Sequence, residues 1–495
     1  MSATSELTAD VVVVGAGPAG AAAARLLAAW GHRVLLIHRP GGDSSRLAES
    51  IPPSSDKLLR AIGALPAIGA AGFQPWRGNT VWWAGDRARV ETFPDGAAGY
   101  QVVREAFDQQ LRDLAMASGA AMRDARVREA HAGATPFVIV EGTSGPERLT
   151  ARFLIDASGR AGVIARQGLR ERRTTPHTIA VTAVWQRSGS WPDSDDAHTL
   201  VASYGDGWAW SVAPASGERH FSVMVDPSRT ALTRGAPSRE VYLAELGKVR
   251  PFVPLLAGAT LADGPWGADA SVYAASRYAG EGFLLAGDAA SAIDPLSSFG
   301  VKKALASGWL GAVAANTVLR NRDMAGAALE FFNRREQALF ASAQRQASAF
   351  ATDAAARSGH PFWLARAEAV GAEGVEPEPD VTALAADPAV LAAFADLRVR
   401  ETLNVGTGPD VRFAPRPVVR GNQIEMEEQL LLPAWPNGLR FLRNVDLVEL
   451  VRLAPSCHDA GEMYETARRS TPDITLPDFL GALAVLLATG AVRHL

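Results

Sequence analysis

DVVVVGAGPAGAAAARLLAAWGHRVLLIHR, residues 10–39, decides the fold. The valine run from Val11 to Val14 is too short for a buried helix and leads straight into GAGPAG. An alanine-rich helical stretch follows, stopped at Gly31, and a second apolar run ends at His38. Strand, turn, helix, strand is a βαβ unit. Within it Gly15, Gly17 and Gly20 stand at GxGxxG spacing, with Ala19 inside the same turn. Glycines at this spacing permit the tight turn, the close approach of backbone to a pyrophosphate, and close helix packing, while the helix N-terminus faces the phosphates. The end of the second strand is where an acidic residue usually holds a ribose hydroxyl. His38 and Arg39 stand there instead, and either could meet the ribose or the adenine face.

Working outward, 495 residues call for two or three packed units. The 49 basic and 53 acidic residues give a net charge of -4, which offers no field for gathering nucleic acid or an anionic membrane. Small molecules or proteins are the expected partners. Lysine occurs only at Lys57, Lys248, Lys302 and Lys303. The single cysteine, Cys457, excludes an intramolecular disulfide framework and a multi-cysteine metal site, and fits a reducing cytoplasm. No metal is expected. The N-terminus carries no basic segment ahead of its apolar run, and no stretch reaches the roughly 18 apolar residues of a membrane span.

Short alternating runs from Thr80 to Arg89 and from Thr178 to Val225 read as an antiparallel sheet inserted between pieces of the α/β domain. The α/β character returns at FLIDASG (153–159) and GFLLAGDAASAIDP (282–295), followed by the helical VKKALASGWLGAVAANTVL (301–319). We therefore assign residues 1–75, 101–175 and 266–360 to a dinucleotide-binding domain and 76–100 and 176–265 to an inserted sheet domain. Residues 361–495 form a C-terminal domain, with a small β element at RFAPRPVVRGNQIEMEEQLLLP (412–433) and about three amphipathic helices after it.

VVREAFDQQL (102–111), LIDASGRAG (154–162) and GDAASAIDPLSSFGVKKALASG (287–308) resemble, in order and spacing, the flavin motifs of class A flavoprotein monooxygenases and flavin-dependent halogenases. The resemblance covers roughly the first 350 residues at the level of motifs. It implies an α/β fold in which a Rossmann-like, GR2-type FAD-binding domain carries an inserted antiparallel β-sheet substrate domain. It also implies that Arg104 and the turn from Asp156 to Gly159 border FAD, and that Asp288, after Gly287, holds the ribityl chain. The stretch Pro295 to Val301, with Gly300, would lay backbone N–H groups and a helix N-terminus beside the isoalloxazine, favouring the anionic reduced flavin. Arg46, with Glu49 and Ser50 of LAESIPPS (47–54), belongs to a further flavin-adjacent motif.

Two chemistries share this machinery. Flavin-dependent halogenases, the family implies, use a lysine in the first third of the chain; here that strand reads FQPWRGNTVWWAG, with Arg77 and no lysine. Arginine does not readily release a proton, which makes it a poor substitute. Lys57 falls in a helix that reads as solvated. The tryptophan halogenases bind halide at a loop with Glu and Thr before a glycine, whereas Ser297, Ser298 and Phe299 precede Gly300. The expected activity is therefore a flavin monooxygenase that hydroxylates an electron-rich aromatic substrate through a flavin C4a-hydroperoxide. Halogenation is the alternative, and a non-oxygenating flavin reductase the third reading. Glu49 and His177 are the candidate acid–base residues; Glu49 serves equally as a structural cap or ion-pair partner, and His177, after Pro176 and before a strand, reads more as a turn residue than as a base. One of Lys302 and Lys303 is expected to support reduced flavin, the other to be solvated. Reducing equivalents come either from NADPH in place or from a separate flavin reductase.

Among 12 tryptophans, Trp76, Trp82, Trp83, Trp185, Trp208 and Trp210 fall in the inserted sheet, where aromatic faces could line an aromatic pocket. The C-terminal domain reads as mainly helical and winged-helix-like, a module able to hold a peptide or protein partner, or only to cover the site or dimerise. With a halogenase-like core it resembles flavoproteins that hydroxylate a peptidyl tryptophan during tryptophylquinone cofactor maturation.

Overall fold

A computed structural model of the chain describes residues 8–41, 46–142, 145–171, 176–189, 191, 196–215, 217–232, 238–368, 384, 386–400 and 402–494. It forms two compact units, Met1–Glu373 and Gly374–Leu495. In the first, a six-stranded sheet runs in the order Ala279–Gly280, Phe283–Leu285, Phe153–Asp156, Val11–Val14, Val34–His38, Ala121–Asp124. All neighbours are parallel except the first pair. Parallel strands bury both faces, which is why the central ones read as unbroken Val, Leu and Ile. Because they run the same way, Val14, His38, Asp156 and Leu285 all end at one edge, where open α/β sheets bind their ligands.

Helices Pro18–Ala29, Arg104–Ala117 and Gly300–Arg320 cover this sheet, the first packing on both others. That packing depends on small residues. A Cβ on Gly308 would lie 2.2 Å from the Ala19 carbonyl oxygen, so the long helix seats directly on the backbone of the first one.

A seven-stranded sheet is built from Thr260–Asp269, Ile179–Gln186, Glu218–Val225, Gly207–Ala215, His198–Tyr204, Gly78–Trp82 and Arg89–Thr92, in that order. All its pairings are antiparallel apart from His198–Tyr204 against Gly78–Trp82. The two-residue period divides its side chains cleanly between faces. Val181, Ala183, Trp185, Phe221 and Val223 pack with Tyr242, Leu246 and Phe252 on one face. Ala180, Trp208 and Met224 face the other way, against Phe362 and Trp363, with Trp83, Trp210 and Leu296 beside them.

The helix Pro361–Ala367 therefore belongs to the first unit, although the sequence reading opened the C-terminal domain at residue 361. Gly359 (φ 60) ends the 34-residue helix Ala325–Ser358 and gives the look of a boundary, but the chain folds back and buries Trp363 completely. The second unit pairs helices Pro388–Leu397, Leu447–Leu453, Ala460–Ser470 and Leu476–Ala488 with a three-stranded antiparallel sheet, Arg412–Arg420, Gln423–Leu432 and Trp435–Leu439. It is a mixed α/β unit where a mainly helical one was expected. Two of these strands, Arg412–Arg420 and Gln423–Leu432, fall in the segment read as a small β element, and Trp435–Leu439 extends it to a sheet. Among the described residues no helix is long and apolar enough to cross a membrane.

The Gly308 contact is testable against a glycine that has room. Gly308→Ala should cost about 1–3 kcal/mol through overpacking and lower the thermal unfolding midpoint by several degrees. Gly326→Ala, whose new methyl meets nothing within 4 Å, should leave it unchanged or slightly raised.

Candidate active site

The glycines of the first loop divide into two kinds. Gly15 adopts φ 101, donates its N–H to the Ile37 carbonyl at 2.9 Å, and would clash through a Cβ with the Ala157 carbonyl at 2.3 Å. A Cβ on Gly20 would come within 1.8 Å of the Gly15 carbonyl oxygen. Both are packing glycines. Gly17 differs, since the nearest atom to its Cβ position is a carboxylate oxygen of Asp108 at 3.9 Å, which leaves that face of the loop open. Gly17 caps Pro18–Ala29 without any side-chain bond and with no acidic residue in the first turn. Helix geometry leaves the N–H groups of Ala19 and Gly20 without intrahelical acceptors, pointing where an anion would lie.

A line of charge runs beside this loop. Arg104, the first residue of Arg104–Ala117, donates through Nε and Nη2 to the two carboxylate oxygens of Asp108 at 3.1 and 3.0 Å. The i,i+4 spacing puts both on one helical face. Arg104 also lies 3.7 Å from Glu49, on the strand Ala48–Ile51. Burial alone would lower the Arg104 pKa, but Asp108 and then Glu49 more than offset it and hold the guanidinium firmly charged. Glu49 keeps 27% of its side chain exposed toward the cleft. Burial on its other sides raises its pKa, Arg104 pulls it down, and the nearby Asp288 and Asp108 push it up again.

Asp288 lies in the tight turn Gly287–Ala289 that follows Phe283–Leu285, with 40% of its side chain exposed. The turn is pinned from the helix Gly300–Arg320. Lys303, with only 1% of its side chain exposed, donates to the carbonyls of Gly287, at 2.9 Å, and Ser291, and stands 3.7 Å from the Asp288 carboxylate. Ser307 Oγ accepts from the Gly287 N–H at 2.9 Å, and the Tyr273 hydroxyl donates to the Asp288 carbonyl at 2.6 Å. Neither lysine is simply solvated, contrary to expectation. Lys302 is half-buried, donates to Ser54 Oγ at 2.9 Å and lies 5.1 Å from the centre of the Phe299 ring; burial lowers its pKa.

Other expected residues are placed differently. Asp156 is fully buried, and its carboxylate accepts from the Ser158 N–H and hydroxyl at 3.1 and 2.5 Å and from the Ile164 N–H at 2.7 Å. Burial raises its pKa and these bonds oppose the rise. It holds the turn together from inside, so its side chain does not border the cleft. Ser50 is also turned away, its hydroxyl 2.5 Å from that of Thr199 on the inserted sheet. Arg46 is exposed, 3.9 Å from Asp263, and Arg39 is exposed beside His38. Gly300 opens its helix with nothing within 4 Å of a Cβ, while Val301 is buried behind it. Pro295 starts the turn Pro295–Ser297, fixed by the Asp294 carboxylate, which accepts from the Leu296 N–H at 3.0 Å. His177 does not join Glu49: it is 57% exposed at 3.7 Å from Asp269. His38 meets Asp124 at 3.1 Å. Asp108, Ser307 and Tyr273 are not among the residues expected from the sequence; only Asp108 had a local signal, four residues after Arg104.

The two lysines separate by substitution. Lys303→Met should cost about 1–3 kcal/mol in chemical denaturation, since it leaves buried carbonyls without a donor, whereas Lys302→Met should cost about 1 kcal/mol or less.

A model of the family described as FAD binding domain matches residues 8–307. Flavin-dependent halogenase armH3 of Armillaria mellea is 30% identical over 341 residues, 62% of this chain and 67% of the relative. Tryptophan 2-halogenase of Chondromyces crocatus is 29% identical over 348 residues, 67% of this chain and 65% of that protein, so the match spans just under two thirds of its length. Among solved structures, the peptidyl tryptophan dihydroxylase QhpG, described as essential for tryptophylquinone cofactor biogenesis, superposes with TM-score 0.65 at 25% identity, covering 97% of this chain and 99% of QhpG. The flavin-dependent halogenase CmlS shares the fold with TM-score 0.77 at 22% identity, covering 98% and 96%. The site fits the cofactor these matches name: an open glycine at an uncapped helix N-terminus for the pyrophosphate, and an exposed carboxylate at Asp288 for sugar hydroxyls. The chain belongs to the FAD-binding family that includes flavin-dependent halogenases and monooxygenases, and its cofactor is FAD.

Proposed function

We propose that the chain is an FAD-dependent oxidoreductase that hydroxylates an electron-rich aromatic substrate, with a tryptophan side chain in a protein or peptide as the substrate class that fits best. FAD, when bound, supplies the redox chemistry and the activation of dioxygen. The protein's part is to position, to keep water out and to manage a proton. The buried Trp208 and Trp363 pack with the half-buried Trp83 and Trp210 and with Leu296 of the Pro295–Ser297 turn, beside the expected flavin position. The two half-buried rings are the aromatic faces we assign to a ring substrate. Full-length similarity to a peptidyl tryptophan dihydroxylase supports the same class. Gly17 and the Pro18–Ala29 N-terminus would hold the pyrophosphate and Asp288 the ribityl chain, with Gly300 and Val301 at the ring. Glu49, tethered by Arg104, is the group proposed to accept a proton.

The observation that carries hydroxylation over halogenation is where the lysines fall. Lys57 is exposed on the helix Asp56–Ile62, Lys248 pairs with Asp206 at 2.7 Å, and Lys303 is committed to backbone carbonyls. Arg77, between the strands Gln74–Trp76 and Gly78–Trp82 where a halogenase would be expected to carry its lysine, is exposed. Halogenation stands as the second reading. The curated relatives favour it, and Lys302 is an amine whose pKa burial lowers.

Mass spectrometry of free tryptophan, indole and a tryptophan-containing peptide separates the two readings, after incubation with dioxygen, chloride and FAD reduced by a flavin reductase and NADPH. Gain of one or two oxygens supports hydroxylation; a chlorine isotope pattern replaces it with halogenation. A carboxylate base with a raised pKa also sets a pH limb. Turnover should fall as pH drops through the Glu49 pKa, at a pH above the ordinary carboxyl range, and recover above it. Glu49→Gln should lower turnover and flatten that limb; an unchanged limb would remove Glu49 from the role.

A further inference from the structure

The strand Val34–His38 ends without the carboxylate that dinucleotide folds place there for a ribose hydroxyl. The neighbouring parallel strand, Ala121–Asp124, brings one to the same spot. His38 and Asp124 stand opposite each other in register, and the Ala125 N–H donates to the His38 carbonyl at 2.8 Å, closing the pair at the strand ends. His38 Nδ1 lies 3.1 Å from Asp124 Oδ1. The adjacent Arg123 does not compete for that carboxylate, because its guanidinium is taken by both oxygens of Glu147 at 2.9 and 2.6 Å.

We propose that His38 and Asp124 form a dyad that grips the adenosine ribose of FAD, His38 touching the ribose and Asp124 orienting His38. A carboxylate can only accept, so the proton of the ring must sit on Nδ1. In the neutral imidazole this leaves Nε2 with its lone pair outward, an acceptor for a sugar O–H. A histidine so fixed performs the task of the missing acid with one step interposed. Position supports the assignment. The Gly15 N–H bonds to the carbonyl of Ile37, so the phosphate loop begins against the residue preceding His38. His38 is the sunken partner, 20% exposed, and Asp124 the outer one at 62%. An ion pair with only a surface role would contribute little.

The inference rests on FAD as the cofactor, and ligand and protein can be varied together to keep the two claims apart. Dissociation constants are measured by flavin fluorescence for FAD and for its 2′,3′-dideoxyadenosine analogue, on the wild-type chain, His38→Ala and Asp124→Ala. The wild type should bind the analogue about tenfold more weakly than FAD. In both variants the ratio should collapse toward one, because the partner of the hydroxyls is gone or misoriented. The ratio is insensitive to a general loss of affinity, so a merely structural role for either residue would leave it at the wild-type value and overturn the dyad. A wild-type ratio of one overturns it as well. Failure of the wild type to bind FAD at all would instead strike the cofactor assignment beneath it.

Discussion

The approach of the loop at Gly15 and Gly20 to the end of the strand Phe153–Asp156 is the contact on which the rest of the first unit depends. A methyl at Gly15 would lie 2.3 Å from the Ala157 carbonyl, so no other residue lets the turn sit this low. With the loop down, the helix Pro18–Ala29 lies close to the sheet and the helix Gly300–Arg320 seats on its backbone at Gly308. That second helix then carries Lys303 and Ser307 to the underside of the Gly287–Asp288 turn. The phosphate end and the ribityl end of the proposed cleft are thus set by one steric condition.

The charges of the cleft are arranged around two cations. Arg104 is shared by Asp108 and Glu49, with Asp288 within electrostatic reach. Burial pushes the Glu49 pKa upward; Arg104 opposes the rise, and Asp288 and Asp108 add to it. Lys303 works differently, since its ammonium is spent on two carbonyls and only approaches Asp288. Asp288 is left partly exposed with acceptor capacity, the property a sugar alcohol needs.

What the sequence makes legible follows from locality. The βαβ unit at 10–39, the alternating strands of the second sheet and the long helix after Gly300 are each written in runs of neighbouring residues, and the structure has them. Pairings that join distant segments are not written that way. Asp156 reads as a residue facing the cleft because it ends a strand before a glycine turn, yet the buried amides of Ser158 and Ile164 need an acceptor and draw it inward. Lys302 and Lys303 are adjacent and indistinguishable by local pattern, but one step along the helix rotates Lys303 into the core. Asp124 carries no motif, and only the parallel register with Val34–His38 brings it to His38. His177 ends beside Asp269 at the surface, because the strand it precedes pairs Ile179 with Asp269 on the neighbouring strand.

The central claim is that FAD lies along the edge formed by Val14, His38, Asp156 and Leu285. A crystal structure of the chain with FAD bound tests it most directly. The account predicts the pyrophosphate over Gly17 and the amides of Ala19 and Gly20, the ribityl hydroxyls at Asp288, and the isoalloxazine beside Gly300 on the side of the half-buried Trp83 and Trp210. FAD bound with its pyrophosphate away from Gly17, or with Asp288 remote from the ribityl chain, would contradict it.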